Sequence, residues 1–129
     1  MPKVMVIEKG SGVKLSANFN SNEFDCQCNY PDCTFTLVSI EHLNMLQKMR
    51  SEVGFTINIS SGFRCQRHNA DIGGADRSQH VRGTATDIQV PHVKASAVAD
   101  VFEDVADGLG RYKTFTHVDS RGYPARWKG

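Results

Sequence analysis

The 129-residue sequence lacks charge of either sign in excess: 15 Lys and Arg against 14 Asp and Glu leave a formal +1. No global field therefore steers it onto DNA, RNA or an anionic membrane, and neither class is expected as a partner. It lacks any run approaching the roughly 18 to 20 apolar residues that cross a bilayer. The opening MPKVMVIEKG reaches Glu8 and Lys9 after only a short apolar run, without the h-region and cleavage site of a secretory signal. A soluble product of the cytoplasm is the expectation, so any extracellular target would be reached through lysis, a pore, a particle or a longer precursor. Internal repeats, low-complexity segments and the glycine fingerprint of a nucleotide-binding unit are also missing.

Cysteine is scarce and clustered. Three of the four lie within CQCNYPDC, at Cys26, Cys28 and Cys33, and the fourth is Cys65. Disulfides, a structural metal site and free thiols all fit this pattern, although neighbours two apart bridge one another poorly. No histidine or carboxylate pattern around them suggests an activated thiolate.

The length suits one domain. Residues 1–15, with the β-branched run Val4 to Ile7, read as an N-terminal strand or arm, and residues 16–129 as the domain proper. Ser16 to Cys33 is polar and turn-rich, with Phe19 and Phe24 as apolar anchors. From Thr36 to about Glu52, Leu37, Ile40, Leu43, Leu46 and Met49 recur at helical spacing, and Gly54 supplies a stop. Phe55 to Ile59 alternates as a strand, Ser60-Ser61-Gly62 reads as a turn, and Arg64 to Ala70 as a short helix before Ile72-Gly73-Gly74. Thr84 to Val90 is a second alternating strand, closed by Pro91. Val93, Ala97, Val101, Val105 and Leu109 fall four apart and predict a helix from Val93 to Leu109, ended by Gly108 and Gly110. Phe115 to Val118 is a brief strand before a tail bearing Trp127. The sum is a compact α+β domain.

Chemistry concentrates in SQHVRGTATDI, Ser78 to Ile88, and THVD, Thr116 to Asp119. His80, Asp87 and His117 form a credible three-ligand zinc shell with a fourth position for water, which such an ion can activate near neutral pH. The competing readings are a hydrogen-bonded loop histidine at His80 and a cap or salt-bridge partner at Asp87. Asp119, two residues beyond His117, projects from the same strand face. It would act either as the general base or as a hydrogen-bond support for the His117 ring. Arg64, after a glycine turn, suits a clamp on a substrate carboxylate, or else a surface bridge to Asp71 or Asp76. His68, Asn69 and Gln79 are lesser candidates for orienting substrate, and Tyr112 is a candidate donor to a developing oxyanion. His42 and His92 read as surface or packing residues.

The ordered set SSGFR, HNADIGG, SQHVRGTATDI and THVDSRG resembles the zinc D-Ala-D-Ala carboxypeptidase family, whose relatives include phage L-alanyl-D-glutamate endopeptidases. It looks most like the short phage and prophage branch. The resemblance runs from about Phe19 to Gly122 and includes the opening NEFDCQC. It implies one catalytic zinc ion on His80, Asp87 and His117, Arg64 at the substrate, and hydrolysis of a peptide bond in peptidoglycan stem peptides. A monomer is expected, released at lysis. The implied fold is a central antiparallel sheet flanked by helices, shared in outline with the hedgehog signalling domain. One departure stands out: several members carry a carboxylate three residues before the last histidine ligand, where this chain has Thr114. Two other readings remain beside the enzyme. One is a non-catalytic wall-binding or phage structural module that keeps the fold; the other is a structural domain whose only metal sits on the cysteines.

Overall fold

The computed structural model describes residues 3–129. Of the expected N-terminal arm, Met1 and Pro2 lie outside the described residues. Strand β1 (Val4–Glu8) pairs antiparallel along its whole length with β2 (Phe35–Ser39) in a two-stranded sheet. Between them a 3-10 turn, Ser21–Phe24, is closed by a capping box in which Asn20 and Glu23 satisfy one another's backbone donors. Phe19 and Phe24 drop from this segment into the core.

Helix α1 (Ile40–Val53) begins later than the periodicity predicts, because Thr36 to Ser39 are strand. The β-branched Thr36 and Val38 pair with β1, and the Ser39 hydroxyl then accepts the His42 backbone N–H at 3.2 Å, starting the helix. Gly54 ends it in the left-handed conformation (φ 78°). Its buried stripe, Leu43, Leu46 and Met49, packs into one core with Ile88, Val98, Phe102, Leu109 and Val118.

The main sheet has five strands: β3 (Asn58–Ser61), β4 (Ala85–Gln89), β5 (Gly108–Arg111), β6 (Thr116–Asp119) and β7 (Ala125–Lys128), in the order β3-β4-β6-β5-β7. Two short helices, α2 (Gln66–Asp71) and α3 (Ala95–Phe102), complete the domain. The central antiparallel sheet that the resemblance implies is found over four of the five strands. Strands β3 to β6 pair antiparallel, but β7 runs parallel to β5, so the sheet is mixed. The chain crosses back after β6 and adds an edge strand that the tail's composition had not suggested. Ser60 and Ser61, expected in a turn, extend β3, and a bulge between Ile59 and Ser61 brings Ser61 opposite Asp87.

The largest correction concerns the helix expected from Val93 to Leu109. It ends at Phe102, and residues 108–111 are the interior strand β5. Spacing by four cannot distinguish a helix from a helix followed by a buried strand: Val105 is 40% exposed, whereas Leu109 is 1% exposed within the sheet. Gly108 and Gly110 are not terminators. A Cβ at Gly108 would collide with the Asp119 carboxylate, and one at Gly110 would come within 2.5 Å of the Trp127 indole nitrogen. Both glycines exist to let neighbouring side chains approach the backbone.

Candidate metal centre

Two central strands and one tight turn present the site. Asp87 on β4 and His117 on β6 are direct cross-strand partners. His80 stands in the 3-10 turn Gln79–Arg82, whose first N–H groups are capped by the Ser78 hydroxyl, which accepts from His80 N at 3.2 Å. Gly83 closes the turn at φ 75°, where a Cβ would press to 2.5 Å from the Leu37 carbonyl.

Hydrogen bonds settle which nitrogen each ring turns inward. His80 Nδ1 lies 2.8 Å from the Gly62 carbonyl, which can only accept, so Nδ1 carries the hydrogen and Nε2 is left with its lone pair. His117 Nε2 lies 2.8 Å from Asp119 Oδ2, so by the same reasoning its Nδ1 is the inward atom. Those two nitrogens each stand 3.2 Å from the same oxygen, Asp87 Oδ1. Neutral rings committed in this way have no hydrogen for that oxygen, so three lone-pair bearers face one another, an arrangement relieved by a metal ion or by a proton on a ring. Ligand atoms about 2.0–2.1 Å from a tetrahedral ion stand about 3.3 Å apart. The donor set therefore fits a single metal ion, with one ligand atom from each residue and all within 4.8 Å of one another.

Electrostatics agree. A proton on either ring can stand in for that ion: burial opposes ionisation of Asp87, but its hydrogen bonds to His117 and His80 outweigh it and hold the carboxyl well below the usual range. In the same way burial of the His117 ring is outweighed by Asp119 and Asp87, which raise its affinity for positive charge. The other Asp87 oxygen accepts from Arg64 Nη2 at 3.3 Å. Arg64 is fixed further by Ser61 Oγ (3.2 Å) and Asn69 Oδ1 (3.3 Å). The alternative bridge from Arg64 to Asp71 or Asp76 does not form; Asp71 instead accepts from the Tyr30 hydroxyl.

Asp119 is fully buried behind His117 and is absent from the side chains lining the cleft. Its Oδ1 accepts from Gly108 N (3.0 Å), Arg121 N (3.2 Å) and Arg121 Nε (3.0 Å), while Oδ2 accepts from His117 and from Arg121 Nη2 (2.7 Å). These contacts, with burial working against them, hold it ionised well below the usual carboxylate range.

The triad opens into a cleft of about 430 Å³. Gln79 and Tyr112 line it, together with Arg64, Arg77, Arg121 and an aromatic wall of Phe115 and Trp127. Tyr112 stacks on Phe115 with centroids 4.4 Å apart, and its hydroxyl accepts from Trp127 Nε1 at 2.9 Å, leaving the phenolic hydrogen free to donate. Gln79 Oε1 accepts from the Thr84 hydroxyl at 2.7 Å. Asn69 serves Arg64, and His68 and His92 lie outside the cleft. Arg77, Arg121 and Trp127 did not stand out in the sequence. Only position hinted at them: Arg121 follows Asp119 by two residues, and Trp127 is the single tryptophan.

His42 is a packing residue of an unusual kind, 1% exposed beneath the site, with Nδ1 3.0 Å from Ser120 Oγ and Nε2 2.9 Å from Thr86 Oγ1. Burial pushes its pKa down to about 3, against the pull of the Asp119 charge. Its unfolded pKa is about 6.5, so between those values the unfolded chain binds a proton the folded chain refuses, and stability falls as pH drops. His42→Gln keeps the hydrogen-bonding capacity without the titration. The stability difference between parent and variant, from urea titrations between pH 4 and 6, should shift against the parent by about 1.4 kcal/mol per pH unit on acidification. A pH-independent difference would show that His42 is not held neutral.

Two inward imidazole nitrogens and a carboxylate oxygen at the floor of an open cleft define a metallopeptidase-type site. The chain belongs to the peptidase M15 family, whose model matches residues 17–119 and so takes in every residue of the triad. Comparison with curated proteins gives no match. Among the described residues no helix is long and apolar enough to cross a membrane.

Proposed function

We propose that the chain is a zinc peptidase that hydrolyses an amide bond in the stem peptides of bacterial peptidoglycan, of the D-Ala-D-Ala or L-Ala-D-Glu type. The observation that carries this reading is the convergence of His80 Nε2, His117 Nδ1 and Asp87 Oδ1 at the floor of a cleft rimmed by guanidinium groups. Zinc held there would supply a water of lowered pKa and polarise the scissile carbonyl. A guanidinium rim suits a stem peptide, which exposes free carboxylates.

Arg64 has three of its five N–H groups engaged by Ser61, Asn69 and Asp87, so it both steadies Asp87 and keeps donors for substrate. Arg77 is exposed on the cleft and, among the described residues, makes no side-chain hydrogen bond or ion pair, which makes it the freer carboxylate clamp. Tyr112, with its phenolic hydrogen unspent, is placed to donate to the carbonyl oxygen as charge develops. Gln79 orients the peptide beside it. Asp119, whose oxygens are consumed behind His117, acts as a positioning residue that fixes the ring's tautomer instead of taking the proton from water.

Arg77→Ala should raise KM for soluble stem peptides about tenfold with kcat nearly unchanged, as loss of a binding contact does. An unchanged KM would remove Arg77 from the substrate site. The reading as a whole is tested by digesting purified sacculi with and without a chelator, followed by mass analysis of the new peptide ends. Chelator-sensitive release of amino groups is expected, and the ends identify the bond. Sacculi bound by zinc-loaded protein without new amino groups would instead make it a wall-binding module. The phage lysis role that the resemblance implies belongs to this same proposal.

A further inference from the structure

The four cysteines, three on one loop and the fourth on a separate segment, converge on a point that the His80 triad does not use. Cys26, Cys28 and Cys33 come from the loop after the first 3-10 turn, and Cys65 is the N-cap residue of α2. Their sulfurs all lie within 4.8 Å of one another, with Cys26 Sγ 3.7 Å and Cys28 Sγ 3.9 Å from Cys65 Sγ. A disulfide needs about 2.05 Å and joins sulfurs in pairs. Four thiolates about 2.3 Å from one tetrahedral zinc ion stand about 3.8 Å apart, which matches the two separations from Cys65.

We propose that Cys26, Cys28, Cys33 and Cys65 hold a structural zinc ion that fastens the 25–34 loop to the start of α2, independently of the ion in the cleft. Three further features suit a tetrathiolate. Backbone N–H groups point at the sulfurs, from Cys65 N to Cys26 Sγ and from His68 N to Cys65 Sγ, each at 3.4 Å. Such donors stabilise thiolate charge without competing for the metal. The ammonium of Lys9 lies 3.5 Å from Cys28 Sγ and 3.7 Å from Cys33 Sγ, offsetting the net negative charge of four thiolates around a divalent ion. The loop between Asp25 and Cys33 has neither helix nor strand, so it needs a tie of another kind.

The tie has a consequence for the cleft. Cys65 is the neighbour of Arg64, whose guanidinium holds Asp87. An ion at the sulfurs pegs the chain one residue away from a group that steadies the triad.

Protein prepared under reducing conditions with zinc, then dialysed, should contain about two zinc ions per chain by elemental analysis, and the His80→Ala/His117→Ala double variant about one. Cobalt loaded into that double variant should give sulfur-to-metal charge-transfer absorption and the strong visible bands of a tetrahedral tetrathiolate. Cys28→Ser/Cys33→Ser in the same background should lose both signals. If that variant fails to fold, release of the remaining zinc by a thiol-blocking mercurial reads the same ligands in the double variant itself. A double variant that holds no zinc, a cobalt spectrum without sulfur charge transfer, or an intact mass showing two disulfides in metal-free protein would each overturn the site. One zinc in the parent and none in the double variant would leave the peptidase reading standing while removing this one.

Discussion

Asp87→Ala is expected to strip the cleft of its metal and to drop hydrolysis of sacculi to the level of chelator-treated protein. Asp87 Oδ1 stands 3.2 Å from both inward nitrogens, and among the described residues no other carboxylate joins that group, so its loss leaves the set one donor short. The same change leaves the Arg64 guanidinium, only 15% exposed, without its carboxylate. Breaking a largely buried pair from one side costs about 3–5 kcal/mol, so the variant should also unfold earlier in urea. Asp87→Asn separates the effects, since an amide oxygen can still accept from Arg64. It should recover part of the stability and little of the metal affinity. Full zinc occupancy of the cleft in either variant, measured by equilibrium dialysis, would refute the triad.

The second large effect is at Asp119. Asp119→Ala leaves five donors facing an empty buried space: the His117 ring, the Gly108 amide, and the backbone N, Nε and Nη2 of Arg121. A loss of about 3–5 kcal/mol is expected from the abandoned charge alone. The informative variant is Asp119→Asn, whose oxygen still accepts from His117. If Asp119 positions the ring, zinc affinity falls roughly 10- to 100-fold, and saturating zinc restores most of the turnover. If it were the base, turnover would stay low with the ion fully bound. The comparison of kcat at limiting and saturating zinc decides between the two.

The triad is legible in the sequence through the motifs that carry the family resemblance, since two histidines and an aspartate at this spacing are too common to show it alone. A histidine in a capped turn, an aspartate on the next strand and a histidine on a late strand converge once those strands are neighbours, as β4 and β6 are. The direction of Asp119 could not be read, because residues two apart on a strand share a face without revealing which nitrogen of the intervening ring each neighbour addresses. Thr114 in place of the resembling family's carboxylate gave no help. Strand β5 was hidden by its own composition: Gly108 and Gly110 resemble a helix stop until Asp119 and Trp127 are seen to occupy the space their side chains would take. The start of α1 was misplaced for a related reason, since Thr36 and Leu37 continue the helical rhythm but are recruited by β1. Nothing in the sequence sets Arg77 and Arg121 apart from the other arginines; the cleft brings them together.

Asp87 and His117 face one another across the two central strands, so an ion gripped by both would act as a rivet through the middle of the sheet. Occupancy and rigidity would then rise together. A chelator would soften the domain as well as silence it, and thermal resistance would climb with the concentration of free metal until the rivet is fully set.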